Sequence, residues 1–431
     1  MVTLAAVRVM LMVFPTRTHI YGVAPIGWAL RAAGHEVRFV VQHNPAEVEP
    51  FLETGLDTMW FGDDFDLARH RRAARGLDSE GGMDSAYKIS ESRPEKYTDD
   101  YIRTVYDMWA WALHWAAPES FLDDVLPFAR WWRPDLVLWD PIVYAGPLIA
   151  QAVGAASMRM LIAADQTARI SFQYRDLMRR VDPAGREPDP LVTWMSQWLD
   201  RHGCAFDERL RFGHASIDPG PACIRYDLPV NYVPVRFAPF NRPLPMPDWL
   251  LEKPARPRIC VTLGVSARQV HGQEETSVAS LLDGLADLDV EVVATLNAEQ
   301  LADVPRLPDN VRAVDFVPLN ELLAGCAAIV HQGGGATLGN AVVNGVPQLI
   351  IPGTTWAERV SALAQEKRGY GLFLELEEVT AEAVRHRVIR LLAEPSFLAS
   401  AREAQQEMLA TPTMHDIVPE LELAAARHRG A

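Results

Sequence analysis

Positive charge is in short supply in this sequence. Lysine and arginine total 41 against 56 aspartates and glutamates, a formal net charge of −15 over 431 residues. That balance excludes nucleic acid as the main partner, because backbone phosphates demand a basic face. Cysteine is scarcer still. The four thiols, at 204, 223, 260 and 326, form no C-x-x-C pair and no metal-ligand spacing, which implies reduced cysteines in a cytoplasmic protein. Uninterrupted apolar runs of ~18 residues are missing, so no membrane span is expected. Nor is a signal peptide expected: Met1 to Ala6 carries no side-chain positive charge, Arg8 breaks the run, and no A-x-A site follows. Two glycine fingerprints are also absent, G-x-G-x-x-G and G-K-[ST], which disfavours a Rossmann dehydrogenase and a P-loop enzyme.

What remains is an ordinary soluble composition, 49% hydrophobic and 23% charged, in a chain long enough for two cores. The first half alternates strand and helix. Val7–Phe14 reads as a buried parallel strand ended by Pro15, followed by a loop over Thr16–Gly22 and a helix over Val23–Ala33. Further strands are expected at Glu36–Gln42, Asp57–Phe61, Asp135–Trp139 and Ser157–Ala163, with helices at Pro45–Thr54 and Ala145–Val153. The fold class is therefore α/β with doubly wound parallel sheets, whose ligand crevice lies at the carboxyl ends of the strands. Six prolines between Ala238 and Arg258 stiffen a linker. Beyond it the alternation restarts, giving an N-terminal domain 1–237, a linker 238–257, a C-terminal domain 258–411 and a tail 412–431 expected to pack back on the first domain.

The chemistry concentrates in Ala327–Pro352. A short apolar strand leads into His331-Gln332-Gly333-Gly334-Gly335, Thr337 opens a helical run closed by Gly345, and a second strand follows at Gln348–Ile351. Adjacent glycines let a ligand approach the backbone, and the free N–H groups of a helix start attract an anion. Thr337 adds a hydroxyl donor, and His331 is expected to donate to a phosphate oxygen. The turn predicts a phosphate or pyrophosphate site. Elsewhere, Tyr101–Trp115 reads as a helix carrying Trp109, Trp111 and Trp115. Those rings suit either the domain core or an aromatic wall for a large apolar ligand.

The Ala327–Pro352 string, together with PTRTHIYGVAPIGWALRAAGHEV, RPDLVLWDP, FAPFNRP and RICVTLGVS, resembles GT-B glycosyltransferases that attach deoxysugars to macrolide and aromatic polyketide antibiotics. The similarity is greatest to macrolide desosaminyl and anthracycline amino-sugar transferases. It implies two Rossmann-like domains facing a cleft, and transfer of a deoxyhexose, preferably an amino-deoxysugar, from a dTDP-sugar to an aglycone hydroxyl with inversion. His19 matches the family's base, with Asp107 and Asp140 both available to orient it. Gly264 and Ser266 match a phosphate-facing loop, and Val317 a position that contacts the base through its backbone. Where many relatives carry an acid for the sugar hydroxyls, this chain has Trp356-Ala357, with Glu358 the nearest substitute.

No metal is expected, since Asp64-Phe65-Asp66 has the letters of a D-x-D pair but lies in an irregular segment. The resemblance also implies an auxiliary partner, akin to a cytochrome monooxygenase without its function, docking on residues 62–100, and it leaves room for a homodimer. Two rivals share the fold. A nucleotide-sugar epimerase needs acids flanking the sugar, against which Ala357 counts; a non-catalytic nucleotide-sugar-binding or auxiliary protein would not need His19.

Overall fold

A computed structural model describes residues 6–66, 91–264, 276–302, 304–353 and 356–429. Two parallel sheets organise the chain. The first has strands β1 (Arg8–Met12), β2 (Glu36–Gln42), β3 (Asp57–Phe61), β4 (Leu136–Trp139), β5 (Ala156–Met160), β6 (Ser216–Asp218) and β7 (Tyr232–Pro234), in the order β3-β2-β1-β4-β5-β6-β7. The second has β8 (Arg258–Thr262), β9 (Glu291–Thr295), β10 (Val311–Val314), β11 (Cys326–His331), β12 (Gln348–Ile350) and β13 (Gly371–Phe373), ordered β10-β9-β8-β11-β12-β13.

Near-continuous apolar strands are buried on both faces, as parallel sheets require. On β1, Val9 and Leu11 pack into the cluster under the Arg17–Ala32 helix, while Met10 and Met12 point into a second cluster with Trp109 and Trp139. The second sheet is sandwiched in the same way. In both sheets the strand order reverses between a neighbouring pair, β1/β4 and β8/β11, and there the crevice opens. Met12 pairs with Trp139, and Thr262 with His331, so the segments leaving each pair emerge side by side.

Several elements differ from their expected extents. The first helix begins at Arg17, six residues before the expected Val23, so Thr16–Gly22 is not a loop and His19 sits in the first helical turn. Its opening residues are polar because they face the crevice, which hides the helical period. A helix at Glu119–Trp132 contains Pro127 and buries Phe121, Leu122, Val125, Leu126, Ala129 and Trp132 along one face. The tail forms a helix, Val418–Arg429, and Met414, Ile417, Val418, Leu421 and Ala425 pack into the N-terminal domain's core. No helix among the described residues is long and apolar enough to cross a membrane.

Candidate active site

A cavity of about 560 Å³ lies between the two domains and is lined by both. Its N-terminal wall is built by the β1/β4 pair. The helix after β1 carries His19 and the turn after β4 carries Asp140. The backbone N–H of Asp140 donates to the Met12 carbonyl at 2.9 Å, tying one segment to the other. His19 Nδ1 and Asp140 Oδ2 form a short hydrogen bond. Asp140 is fully buried and its other oxygen accepts from the Ile142 N–H at 3.0 Å. A carboxylate facing Nδ1 fixes the proton there and leaves Nε2 as the basic atom. Of the two acids left open by the sequence, the structure pairs Asp140 with His19; neither acid lines the cavity itself.

The C-terminal wall is the β8/β11 pair. Gly264 leaves β8 with φ +65°, and a Cβ there would lie 2.3 Å from Gln332 Nε2. Gly333 has φ +97°, a left-handed conformation that glycine adopts without strain. Gly334 caps the Gly335–Asn344 helix, whose free N–H groups open on the cavity with Gly333, Ala336 and Thr337. Gly335 serves a different need as well: a Cβ there would meet the Ile162 carbonyl oxygen of the other domain at 2.2 Å. Bare backbone at 335 is what allows the domains to approach at this point.

His331 requires a correction. It is fully buried, its Nε2 lies 2.8 Å from Gln348 Oε1, and its Nδ1 accepts the Gly333 N–H at 3.0 Å. Burial, only partly offset by the Gln348 hydrogen bond, lowers its pKa from 6.5 to about 4. Both ring nitrogens are engaged away from the cavity, so His331 is not a phosphate donor; it fastens the glycine turn to β12. Successive side chains in extended backbone point to opposite sides, and the side chain that reaches the cavity is the next one, Gln332.

Val317 and Gly264 line the cavity, while Ser266 lies outside the described residues. Trp111 and Trp115 line its apolar end, and Trp109 lines it too but is 5% exposed and belongs to the core cluster. Trp356, with a left-handed φ of +53°, packs its ring 5.3 Å from Trp109 across the domain boundary, and its carbonyl accepts from Gln166 Nε2 at 3.0 Å. Glu358 lines the cavity and is 6% exposed. Asp64 instead lies 2.6 Å from His43 at the surface, and no group of three metal-ligating side chains occurs among the described residues. Of the expected docking segment 62–100, residues 67–90 lie outside the described residues. Sequence reasoning missed Gln332, Asn297, Asp315 and Arg242, all on the cavity wall. Asn297 and Asp315 follow β9 and β10, and the rule that strand carboxyl ends face the crevice would have found them.

Residues 28–264 match the N-terminal and residues 279–423 the C-terminal domain model of the erythromycin biosynthesis protein CIII-like family. The chain belongs to this family. It is 42% identical to the 10-deoxymethynolide desosaminyltransferase of Streptomyces venezuelae, covering 98% of each chain. It is 41% identical to the aclacinomycin-T 2-deoxy-L-fucose transferase of Streptomyces galilaeus, covering 98% of this chain and 97% of that one. The crystal structure of the glycosyltransferase VinC in complex with dTDP superposes with a TM-score of 0.85 at 39% identity, covering 97% of this chain and all of VinC. The expected GT-B fold and glycosyltransferase class are thereby borne out.

Proposed function

We propose that this chain transfers a deoxysugar from a dTDP-sugar to a hydroxyl of a polyketide aglycone, with inversion at the anomeric carbon. The observation that carries the proposal is His19, backed by the buried Asp140, on one wall of a cavity whose opposite wall is the glycine turn and helix start. An alcohol is a weak nucleophile near neutral pH. His19 Nε2 takes the acceptor's proton as the acceptor oxygen bonds to the anomeric carbon, and Asp140 stabilises the imidazolium. The bond from that carbon to the β-phosphate oxygen breaks, and dTDP leaves with the electron pair. The Gly333 amide is taken by His331, so the amides of Gly334 and Gly335, the Thr337 hydroxyl and the Gln332 amide are the groups suited to the charge that develops there. No metal is required in this scheme.

The apolar wall of Trp111, Trp115 and Phe14 suits a polyketide ring system. On the sugar side, Ala357 removes an acid, which fits a donor short of hydroxyls, and the buried carboxylate of Glu358 suits a sugar amine. An amino-deoxysugar is therefore the first donor class to test. An auxiliary partner and a homodimer stay within the proposal. Incubation with a panel of dTDP-deoxysugars and macrolide or anthracycline aglycones, read by mass spectrometry and by NMR of the anomeric centre, tests it. Products of sugar mass with inverted configuration are expected. Hydrolysis or epimerisation of the donor without aglycone glycosylation, with any auxiliary protein supplied, would refute it.

A further inference from the structure

The inference rests on the donor reading above and concerns the nucleoside end of the same cavity. Arg242 belongs to the interdomain linker, and Pro243 behind it restricts its backbone to extended conformations. The guanidinium carbon stands 4.4 Å from the centroid of the Phe316 ring. Its Nε is buried and has no hydrogen-bond partner, a state that costs free energy until an acceptor arrives. The other arginine on the cavity wall, Arg17, faces Glu49 at 3.9 Å; among the described residues no ion pair engages Arg242.

Sheet geometry says which end of a nucleotide this cation meets. Phe316 follows β10 and the glycine turn follows β11, three strand spacings apart in the order β10-β9-β8-β11. At about 4.8 Å per strand that is roughly 14 Å. A nucleoside diphosphate with its phosphates at the glycine turn and lying across the strand ends therefore brings its base toward Phe316. Asp315, Val317 and Asn297 line the same end of the cavity.

We propose that Arg242 is a specificity-determining residue that binds the pyrimidine base of the donor. One face of its guanidinium rests on Phe316, the other offers a flat surface to the base, and the N–H edge donates to a pyrimidine carbonyl. Lysine cannot replace a planar group in that position.

Calorimetric titration of thymidine, dTMP and dTDP into the wild type and into Arg242→Ala, Arg242→Lys and Phe316→Leu variants tests the assignment. All three variants should weaken all three ligands by the same factor, about tenfold, and should raise the KM for the donor with little change in kcat. Unchanged affinities would overturn it. So would a loss confined to dTMP and dTDP and rescued by lysine, which would mark a phosphate contact. A wild type that binds none of the three would overturn the donor reading itself.

Discussion

His331 offers a quantitative test of how the glycine turn is held. Its imidazole is buried between Gln348 and the Gly333 amide, with a pKa lowered from 6.5 to about 4 chiefly by burial. Above about pH 6.5 both folded and unfolded chains hold it neutral. Between 6.5 and about 4 only the unfolded chain binds the proton, so stability falls as pH falls. The loss is fully developed near pH 4, and at 1.36 kcal/mol per pKa unit it amounts to about 3 kcal/mol. His331→Gln keeps a hydrogen-bonding side chain but removes the titration. Urea denaturation of both proteins at steps from pH 7.5 to pH 4 should show the wild type losing about 3 kcal/mol more than the variant across this window. At pH 7.5, dTDP affinity should be nearly unchanged in the variant, because the side chain makes no contact with the cavity. Parallel pH curves, or a tenfold loss of dTDP affinity without a stability change, would refute the buried role.

Other expectations follow from the same contacts. Asp140→Asn, which removes the carboxylate from Nδ1, should lower kcat by on the order of 10²–10⁴-fold while dTDP affinity is retained in fluorescence titrations. Gly335→Ala forces a Cβ to within 2.2 Å of the Ile162 carbonyl, so turnover should fall and the radius of gyration measured by small-angle scattering should rise as the domains separate. Trp111→Ala should raise the acceptor KM with little effect on thermal stability, whereas Trp109→Ala, in the core, should cost about 3–5 kcal/mol in denaturation experiments.

The parts of the fold that could be read from sequence were those where one force dominates. Strands buried on both faces announce themselves as apolar runs, and Ala145–Val153 was placed to the residue because Gly154 stops it in a left-handed conformation. Five elements were hidden, wholly or in part, for identifiable reasons. The first turn of the Arg17–Ala32 helix is polar because it faces a cleft, and Glu119–Trp132 carries a proline that ordinarily argues against a helix. Strands β6, β7 and β13 have three residues each, too few to show a period, and unlike the equally short β12 none follows a glycine-turn helix that marks its place. The glycine turn was legible as a site. Which of His331 and Gln332 faces it depends on the phase of one extended segment, and the sequence does not carry that phase. The pairing of His19 with Asp140 across 121 positions follows from β1 lying beside β4, a strand order fixed by the tertiary fold.

The most direct measurement is a comparison of wild type and His19→Ala under identical conditions, with single-turnover rates and dTDP affinity determined on the same preparations. Turnover should drop by on the order of 10²–10⁴-fold while dTDP binds as tightly as before. Undiminished turnover, or a parallel collapse of dTDP binding, would contradict a base on one wall serving a nucleotide held by the other.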